Sequence, residues 1–541
     1  MNRACVQLKD LPDELLIFVF KQMNNVEVLY SLFGVDERFD SILQDPIFTN
    51  RLNFLKWSSK KFLNIFSPDI IFDRFCLQIL PAVREKIQWL GIDSSSMKQI
   101  LHATHYPNLH GLSLFNIEEE TIKSLFTNVN LSSGLFNNQI SKLLITIGNG
   151  RNLKDYSTME YIINHVFTVF KKLTHLTFAE ASYQNAIELS FVYPPINFCS
   201  STLSVLNIKI DCFEICLYLL DARFNQLHTL TVEAAYIYES EKIENKGNIS
   251  NLKSFSLSCF RTIDCYDELI LPFLYRFSNL ETLNLSLSIS AKEIFIDEHN
   301  LRNKIANHLS RLSKFTFDIH SIMNINHDTI LPSNEDIQNT FKDFQYTQMI
   351  YYMDHFLDRK ECRYHAYTYP SQMSYYQFTS NLFPGGYYPY VRFVSLYDEH
   401  AFEHEFFLRI AQSFPLIQKL VLNNAKRQQY KQSYKSTNDN CHLPIVEYSH
   451  LIELDVQRAH DDYIEEFLCD RKACFRKNIR LRVVDDSLLR VTKHFTREDT
   501  RMNCTKVDNL LVWVEWRSSK CFQEYFPSLK EDDAYISSSF Y

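Results

Sequence analysis

Apolar residues recur along this chain in the order apolar-x-x-apolar-x-apolar, and that cadence constrains the fold more than any other feature. Copies stand at Ile87/Leu90/Ile92, Leu109/Leu112/Leu114, Ile140/Leu143/Ile145, Leu173/Leu176/Phe178 and Leu203/Leu206/Ile208. They continue at Leu227/Leu230/Val232, Leu252/Phe255/Leu257, Leu280/Leu283/Leu285 and Leu312/Phe315/Phe317. After a gap come Val391/Val394/Leu396, Ile417/Leu420/Leu422, Leu451/Leu454/Val456, a worn Leu481/Val483 and Val507/Leu510/Val512. Most starts lie 22 to 34 residues apart. The alternating half of each copy has the period of two that sends successive side chains to opposite faces of a strand. Helical stretches lie between copies, clearest at Met159, Ile162, Ile163, Val166, Phe167 and Phe170 behind a Ser157-x-x-Glu160 capping box. A second is Ile305, His308, Leu309 and Leu312. A strand and then a helix at such a cadence, with no hairpin partners, predicts parallel strands side by side with helices behind them, a solenoid of helical repeats being the alternative.

Composition narrows the chemistry. The 541 residues include only 9 glycines, against 43 Phe, 30 Tyr and 4 Trp. Ordinary globular chains carry roughly 7% Gly. Phosphate cradles need clustered glycines so that backbone N–H groups can crowd an anion. The nearest approaches, Gly148/Gly150 and Gly385/Gly386, lack the spacing. With 46% apolar and 22% charged residues the chain has the balance of one that buries a core. Lys and Arg number 56 against 64 Asp and Glu, for a net charge of −8, which argues against a general nucleic-acid binder. The 13 cysteines include no C-x-x-C, the closest pairs being Cys212/Cys216 and Cys469/Cys474. They are expected to be small buried hydrophobes in a reducing compartment, not zinc ligands. The strongest early apolar run, Leu15 to Phe20, is six residues, far short of the ~20 a membrane helix needs. The expectation is an intracellular protein, cytoplasmic and/or nuclear, without a membrane span.

The first fifty residues form a unit of their own. Pro12 suits a first helical position, Asp13 and Glu14 suit the positive helix end, and Leu15, Leu16, Val19, Phe20 and Met23 make a helical stripe. Asn24-Asn25 breaks it; Val28, Leu29, Leu32 and Phe33 follow, closed by Gly34. A third helix runs from Glu37 through Phe39, Ile42 and Leu43 to Asp45-Pro46, with Ile47, Phe48 and Leu52 beyond. Three short helices have too many apolar positions on too many faces for one tiny core, so the unit reads either as a docking module or as the first helices of a larger domain.

Its residues resemble an F-box: Leu11-Pro12-x-Glu14 matches the opening, Val35/Arg38/Phe39 the middle and Asp45-Pro46-Ile47-Phe48 the end. Phe39 and Phe48 stand where family members often carry Trp. The resemblance implies docking on the Skp-type adaptor of a cullin–RING ubiquitin ligase, through Leu11, Pro12, Leu15, Val19, Met23, Leu32, Val35, Phe39, Pro46 and Phe48. The rest of the chain is similar to leucine-rich repeats, and the whole to divergent animal F-box proteins with poorly kept repeats. That implies an α/β architecture: a three-helix F-box, then an irregular horseshoe with parallel strands concave and helices convex. Few copies keep the Asn that follows the strand, Asn116 and Asn423/Asn424 being the better candidates. The expected boundaries are 8–52 for the F-box, 53–85 for a helical linker or first cap, 86–529 for the repeats and 530–541 for a tail. Insertions are expected near 323–390 and 423–445. The first should hold one decayed repeat, with a capped helix at Ser333-x-x-Asp336, and a loop around Asn381–Pro389. The second carries Lys426, Arg427, Lys431 and Lys435, read as a solvated loop.

No catalytic site, cofactor or metal site is expected. His400-Ala-Phe-Glu403-His404 fits H-x-x-E-H, which on a helix can place two His on zinc beside a Glu base. It leads into Phe406, Phe407, Ile410 and Phe414, an ordinary repeat helix, and no third ligand is identifiable. Function is expected at the x positions within each strand. Between Leu203 and Phe317 these are small and polar: Asn207, Thr229, Thr231, Ser254, Ser256, Thr282, Asn284 and Thr316. Later they become Phe393, Tyr397, Glu453, Asp455, Arg480, Arg482 and Trp513, the side-chain types that anchor protein interfaces. Glu453 and Asp455 can equally pair with Arg480 and Arg482 across adjacent strands. The reading is a non-catalytic substrate receptor of an Skp–cullin–F-box ligase with an unknown protein target. The alternatives are a repeat scaffold or sensor outside ubiquitylation and, more remotely, a zinc peptidase.

Overall fold

A computed structural model of the chain describes residues 8–54, 73–117, 138–147, 156–179, 198–220, 223–238, 249, 251–291, 301–325, 348–371, 373–430, 444–511 and 520–529. The chain divides into two compact units whose boundary falls within three strands, at Cys259/Phe260, Leu283/Asn284 and Lys314/Phe315.

The first unit opens with helices α1 (Asp13–Phe20), α2 (Asn25–Leu32), α3 (Glu37–Leu43) and α4 (Pro46–Thr49). Side-chain caps set their starts: Asn24 and Glu27 form a capping box on α2, while Asp36 and Asp45 accept from the first turns of α3 and α4. Phe20 meets Phe39 and Phe48 edge-on at 5.8 and 6.2 Å, and these rings with Leu16, Leu29 and Leu43 make the small core. Arg38 ties α3 to the entering chain, donating to the Asp13 carboxylate and to the Lys9 and Leu11 carbonyls.

A parallel ladder follows in sequential order through β1 (Arg51–Phe54), β2 (Trp89–Asp93), β3 (Gly111–Ile117), β4 (Lys142–Ile147), β5 (His175–Ala179), β6 (Val205–Cys212), β7 (Thr229–Tyr236) and β8 (Ser254–Ile263). One device repeats at each step: a carbonyl just before a strand accepts two successive N–H groups from the next strand's start. Asn50, Gln88, His110, Ser141, Thr174, Ser204 and His228 supply these carbonyls in turn. The predicted apolar triplets line the core; Leu90, Leu143, Leu176, Leu206, Leu230 and Phe255 are at most 2% exposed. The ladder starts earlier than expected: β1 pairs with β2, so the strand array begins at Arg51, not at residue 86. Gly111 is required here because a Cβ would stand 2.0 Å from the Trp89 ring.

The second unit contains a feature the sequence reading did not expect. Strands β9 (Thr282–Ser290) and β10 (Lys314–Asn324) straddle the boundary, and beyond β10 the chain makes a hairpin. Strands β11 (Gln348–Phe356) and β12 (Glu361–Tyr369) pair antiparallel, and β12 also pairs antiparallel with β10. The expected decayed repeat at 323–390 is therefore corrected to a hairpin followed by a new strand; the helix expected after Ser333 lies outside the described residues. The physical reason is the density of Tyr and Thr in this segment (Tyr364, Tyr367, Thr368, Tyr369), residue types that favour a strand, and β12 is buried on both faces. A second parallel ladder then runs β13 (Tyr375–Thr379), β14 (Phe393–Tyr397), β15 (Lys419–Asn424), β17 (Glu453–Ala459), β19 (Ile479–Arg482) and β20 (Val507–Leu511). The shared-carbonyl device returns at Ser374, Arg392 and Gln418. Strands β16 (Val446–Tyr448) and β18 (Ala473–Phe475) form a separate parallel pair. Asn424 does serve as a post-strand asparagine: it is buried and donates to the His400 carbonyl at 2.7 Å while accepting from the Lys426 N–H.

Candidate functional site

Sequence-selected residues of the helical module divide into two sets. Leu15 and Val35 are 51% and 62% exposed, and Pro12, Val19, Met23 and Pro46 are exposed too. Leu11 and Leu32 are half-buried. Phe39 and Phe48 are corrected: both are buried inside the bundle, where their rings hold α1 in place. Phe18, 64% exposed, and Ile47 are surface apolar residues that the sequence reading passed over. Phe18 sits three residues after Leu15, on one face of α1, and that spacing was the available signal.

On the second ladder the register brings Tyr375, Phe393, Lys419, Glu453, Arg480 and Asn509 into one transverse row. Ser395, Val421, Asp455, Arg482 and Leu511 form the next. Glu453 is only 2% exposed and is shared by three cations: Lys419 Nζ at 3.0 Å, Arg482 Nε at 3.1 Å and Arg480 at 3.9 Å. Burial raises the Asp455 pKa, which the Gln457 N–H, Arg482 and Lys419 partly offset. The cross-strand pairing that the sequence allowed is thus present, and it places Glu453 beneath the surface, as the counter-charge of a cationic row. Tyr397 is also buried, under the Arg359 guanidinium at 4.1 Å. Trp513 lies outside the described residues.

The H-x-x-E-H segment does not assemble as a metal pair. The helix starts at His404, leaving His400 in the preceding loop and highly exposed. Glu403 accepts from the Gln429 and Tyr430 N–H groups. His404 is fully buried, with Nδ1 on the Glu466 carboxylate and Nε2 donating to the Pro444 carbonyl at 2.9 Å, so both ring nitrogens are used. Burial opposes charge on His404, but the hydrogen bonds to Glu466 and Pro444 outweigh it and raise its pKa. Burial likewise opposes charge on Glu466, yet His404 and Lys472 hold its carboxyl below the usual range. A charged cleft of about 1230 Å³ lies nearby, and its cations are largely answered within it: Arg490 by Asp461, and Arg497 by Glu465 and Asp499.

A further group, Asp318, His320 and His365, was invisible to motif reading because its members lie on two strands far apart in sequence. His320 and His365 are direct cross-strand partners and their rings stack at 3.6 Å; Asp318 lies two residues before His320 on the same strand face. His365 Nε2 is 2.6 Å from Asp318 Oδ1, and His320 Nε2 is 3.7 Å from the same oxygen. Asp318 Oδ2 accepts from Ser286 Oγ at 3.2 Å. On its other side, His365 Nδ1 meets the Tyr352 hydroxyl at 3.2 Å. Hydroxyl contacts continue from Tyr352 to Tyr376 at 3.3 Å, to Tyr367 at 3.3 Å, to Tyr388 at 2.6 Å and to the Gly385 carbonyl at 3.2 Å. Burial raises the Asp318 pKa and pushes both histidines down to about 3. Gly386 makes room for this chain's end, with φ +141° and a Cβ position only 2.7 Å from the Tyr388 hydroxyl.

No family model matches the sequence, and no curated protein matches it. Among solved structures, a chain of the TLR13–ssRNA13 complex aligns with 82% of this chain at 12% identity and a TM-score of 0.26. The alignment spans 57% of that chain's length. Among the described residues, no helix is long and apolar enough to cross a membrane.

Proposed function

We propose that the protein is a non-catalytic substrate receptor: an F-box that docks on a Skp-type adaptor, joined to leucine-rich-repeat-like ladders that carry a protein target to a cullin–RING ligase. The observation that supports it best is the apolar surface of the helical module. Leu15, Phe18, Val19, Met23, Val35 and Ile47 face solvent although Leu16, Phe20, Phe39 and Phe48 already complete the core. Exposed apolar side chains grouped on so small a unit favour a covering partner. The Leu11-Pro12-x-Glu14 opening and the Pro46-x-Phe48 close favour the adaptor as that partner. Arg38 stabilises the opening by holding the Lys9 and Leu11 carbonyls.

Target binding is assigned to the row Tyr375, Phe393, Lys419, Arg480, with Arg482 beside it. Three cations around the carboxyl groups of Glu453 and Asp455 leave positive charge in excess next to two rings, which favours an acidic segment of the target. Ubiquitin transfer would then be a proximity effect, the bond-forming chemistry belonging to the partners.

Co-purification with a Skp-type adaptor tests the reading. Wild-type protein should capture the adaptor, and Leu15→Asp/Phe18→Asp should abolish capture while leaving the unfolding midpoint unchanged, since both side chains are exposed. Absence of capture by the wild type would remove the ligase assignment and leave a scaffold.

A further inference from the structure

Hydrogen counting along the tyrosine chain leaves the Asp318–His365 contact with two acceptor atoms facing each other. The Gly385 carbonyl can only accept, so Tyr388 donates to it. Each phenol has a single hydrogen. Tyr367 therefore donates to Tyr388, Tyr376 to Tyr367, and Tyr352 to Tyr376. The Tyr352 oxygen is left to accept from His365 Nδ1–H. In neutral His365 the Nε2 lone pair then points at Asp318 Oδ1 from 2.6 Å. Two acceptors at that distance repel unless a proton or a metal ion sits between them. A shared proton would answer that pair alone; His320 Nε2, 3.7 Å from the same oxygen and beyond hydrogen-bond reach, brings a third ligand atom to the place.

We propose that Asp318 Oδ1, His320 Nε2 and His365 Nε2 form a binding site for a divalent transition ion of the zinc class. The three ligand atoms lie within 4.8 Å of one another. Metal–ligand bonds of about 2.0–2.2 Å space such atoms by roughly 3–3.5 Å, and the observed 2.6 and 3.7 Å bracket that range. Two imidazoles and one carboxylate are a borderline donor set that suits zinc and its neighbours better than magnesium or calcium. The outer partners are those a metal site uses: Ser286 holds the second Asp318 oxygen, and Tyr352 holds Nδ1–H of His365 and so fixes the tautomer. His320, whose side chain is 17% exposed against 3% for His365, is the entry side. It closes on the ion by turning out of its 3.6 Å stack with His365.

The test uses full-length protein stripped with a chelator and titrated with Co²⁺, followed by its d–d absorption and by calorimetry, then with Zn²⁺ in competition. The expected result is one high-affinity ion per chain with a spectrum of mixed nitrogen and oxygen ligation. His320→Asn should remove that spectrum without moving the metal-free unfolding midpoint, because the side chain is partly exposed. Tyr352→Phe should keep the ligands but weaken binding by about 10–100-fold through loss of the tautomer lock. Absence of stoichiometric binding in the wild type, or a spectrum unchanged in both His320→Asn and Asp318→Asn, would overturn the assignment.

Discussion

The first and second ladders share a backbone device and differ in what they display on it. In the first, one transverse row reads Ser113, Leu144, Thr177, Asn207, Thr231, Ser256. Its polar side chains serve one another, as when Asn207 donates to the Thr177 hydroxyl at 3.1 Å. In the second ladder the comparable row carries Phe393, Lys419, Glu453 and Arg480. Even ion pairing differs: Lys209 meets Glu233 at 2.8 Å across the first ladder, whereas three cations crowd Glu453 in the second. Strand pairing depends on main-chain groups and the inward apolar triplet, so outward positions can change character without altering the ladder. That freedom is why the second row, and not the first, supports a recognition role.

Core truncations carry the largest expected effect and test whether both ladders share one kind of core. Leu230 and Leu420 are both 0% exposed, so Leu230→Ala and Leu420→Ala should each cost about 2–5 kcal/mol in urea unfolding. A loss well below that range at one site only would break the equivalence. Next comes the charge row. Glu453→Gln removes the carboxylate that three cations share, and should cost about 1–3 kcal/mol at low salt, with part recovered as salt screens the cations. An outward change in the first ladder, Ser256→Ala, should stay within about 0.5 kcal/mol. A Glu453→Gln loss that ignores salt would show that the cations do not repel one another.

The smallest effect is a slope with pH. His404 has a raised pKa, so its contribution is full below its ordinary value of 6.5 and is lost as pH rises through the folded value. Glu466 has a lowered pKa, so its contribution is full above its ordinary 4.5 and is lost as pH falls through the folded value. Stability from this buried group, with Lys472 as its other charge, should therefore peak between those pH values. His404→Gln should flatten the decline on the alkaline side; an unchanged slope would remove His404 from the pH response.

Much of the fold was legible in local periodicity. The apolar triplets at Leu176, Leu206, Leu230 and Leu420 became buried strand positions, Pro12 marks the first helix start, and Asn24 and Asp45, read as breaks, cap the helices that follow them. The hairpin of β11 and β12 carries no copy of the apolar triplet, and β12 is a Tyr-rich strand buried on both faces, so the repeat pattern does not reveal it. The burial of His404 was not legible because its partner Glu466 is 62 positions away.

By itself the sequence determined most strands of the two parallel ladders, the inward apolar triplets on them and the short helices that open the chain, since each depends on residues a few positions apart. Tertiary structure alone decided that Phe39 and Phe48 are core, that Glu453 is a shared buried counter-charge, and that Asp318, His320 and His365 meet. The first rests on helix packing and the other two on register between strands, which joins residues up to 47 positions apart whose local patterns carry no sign of one another.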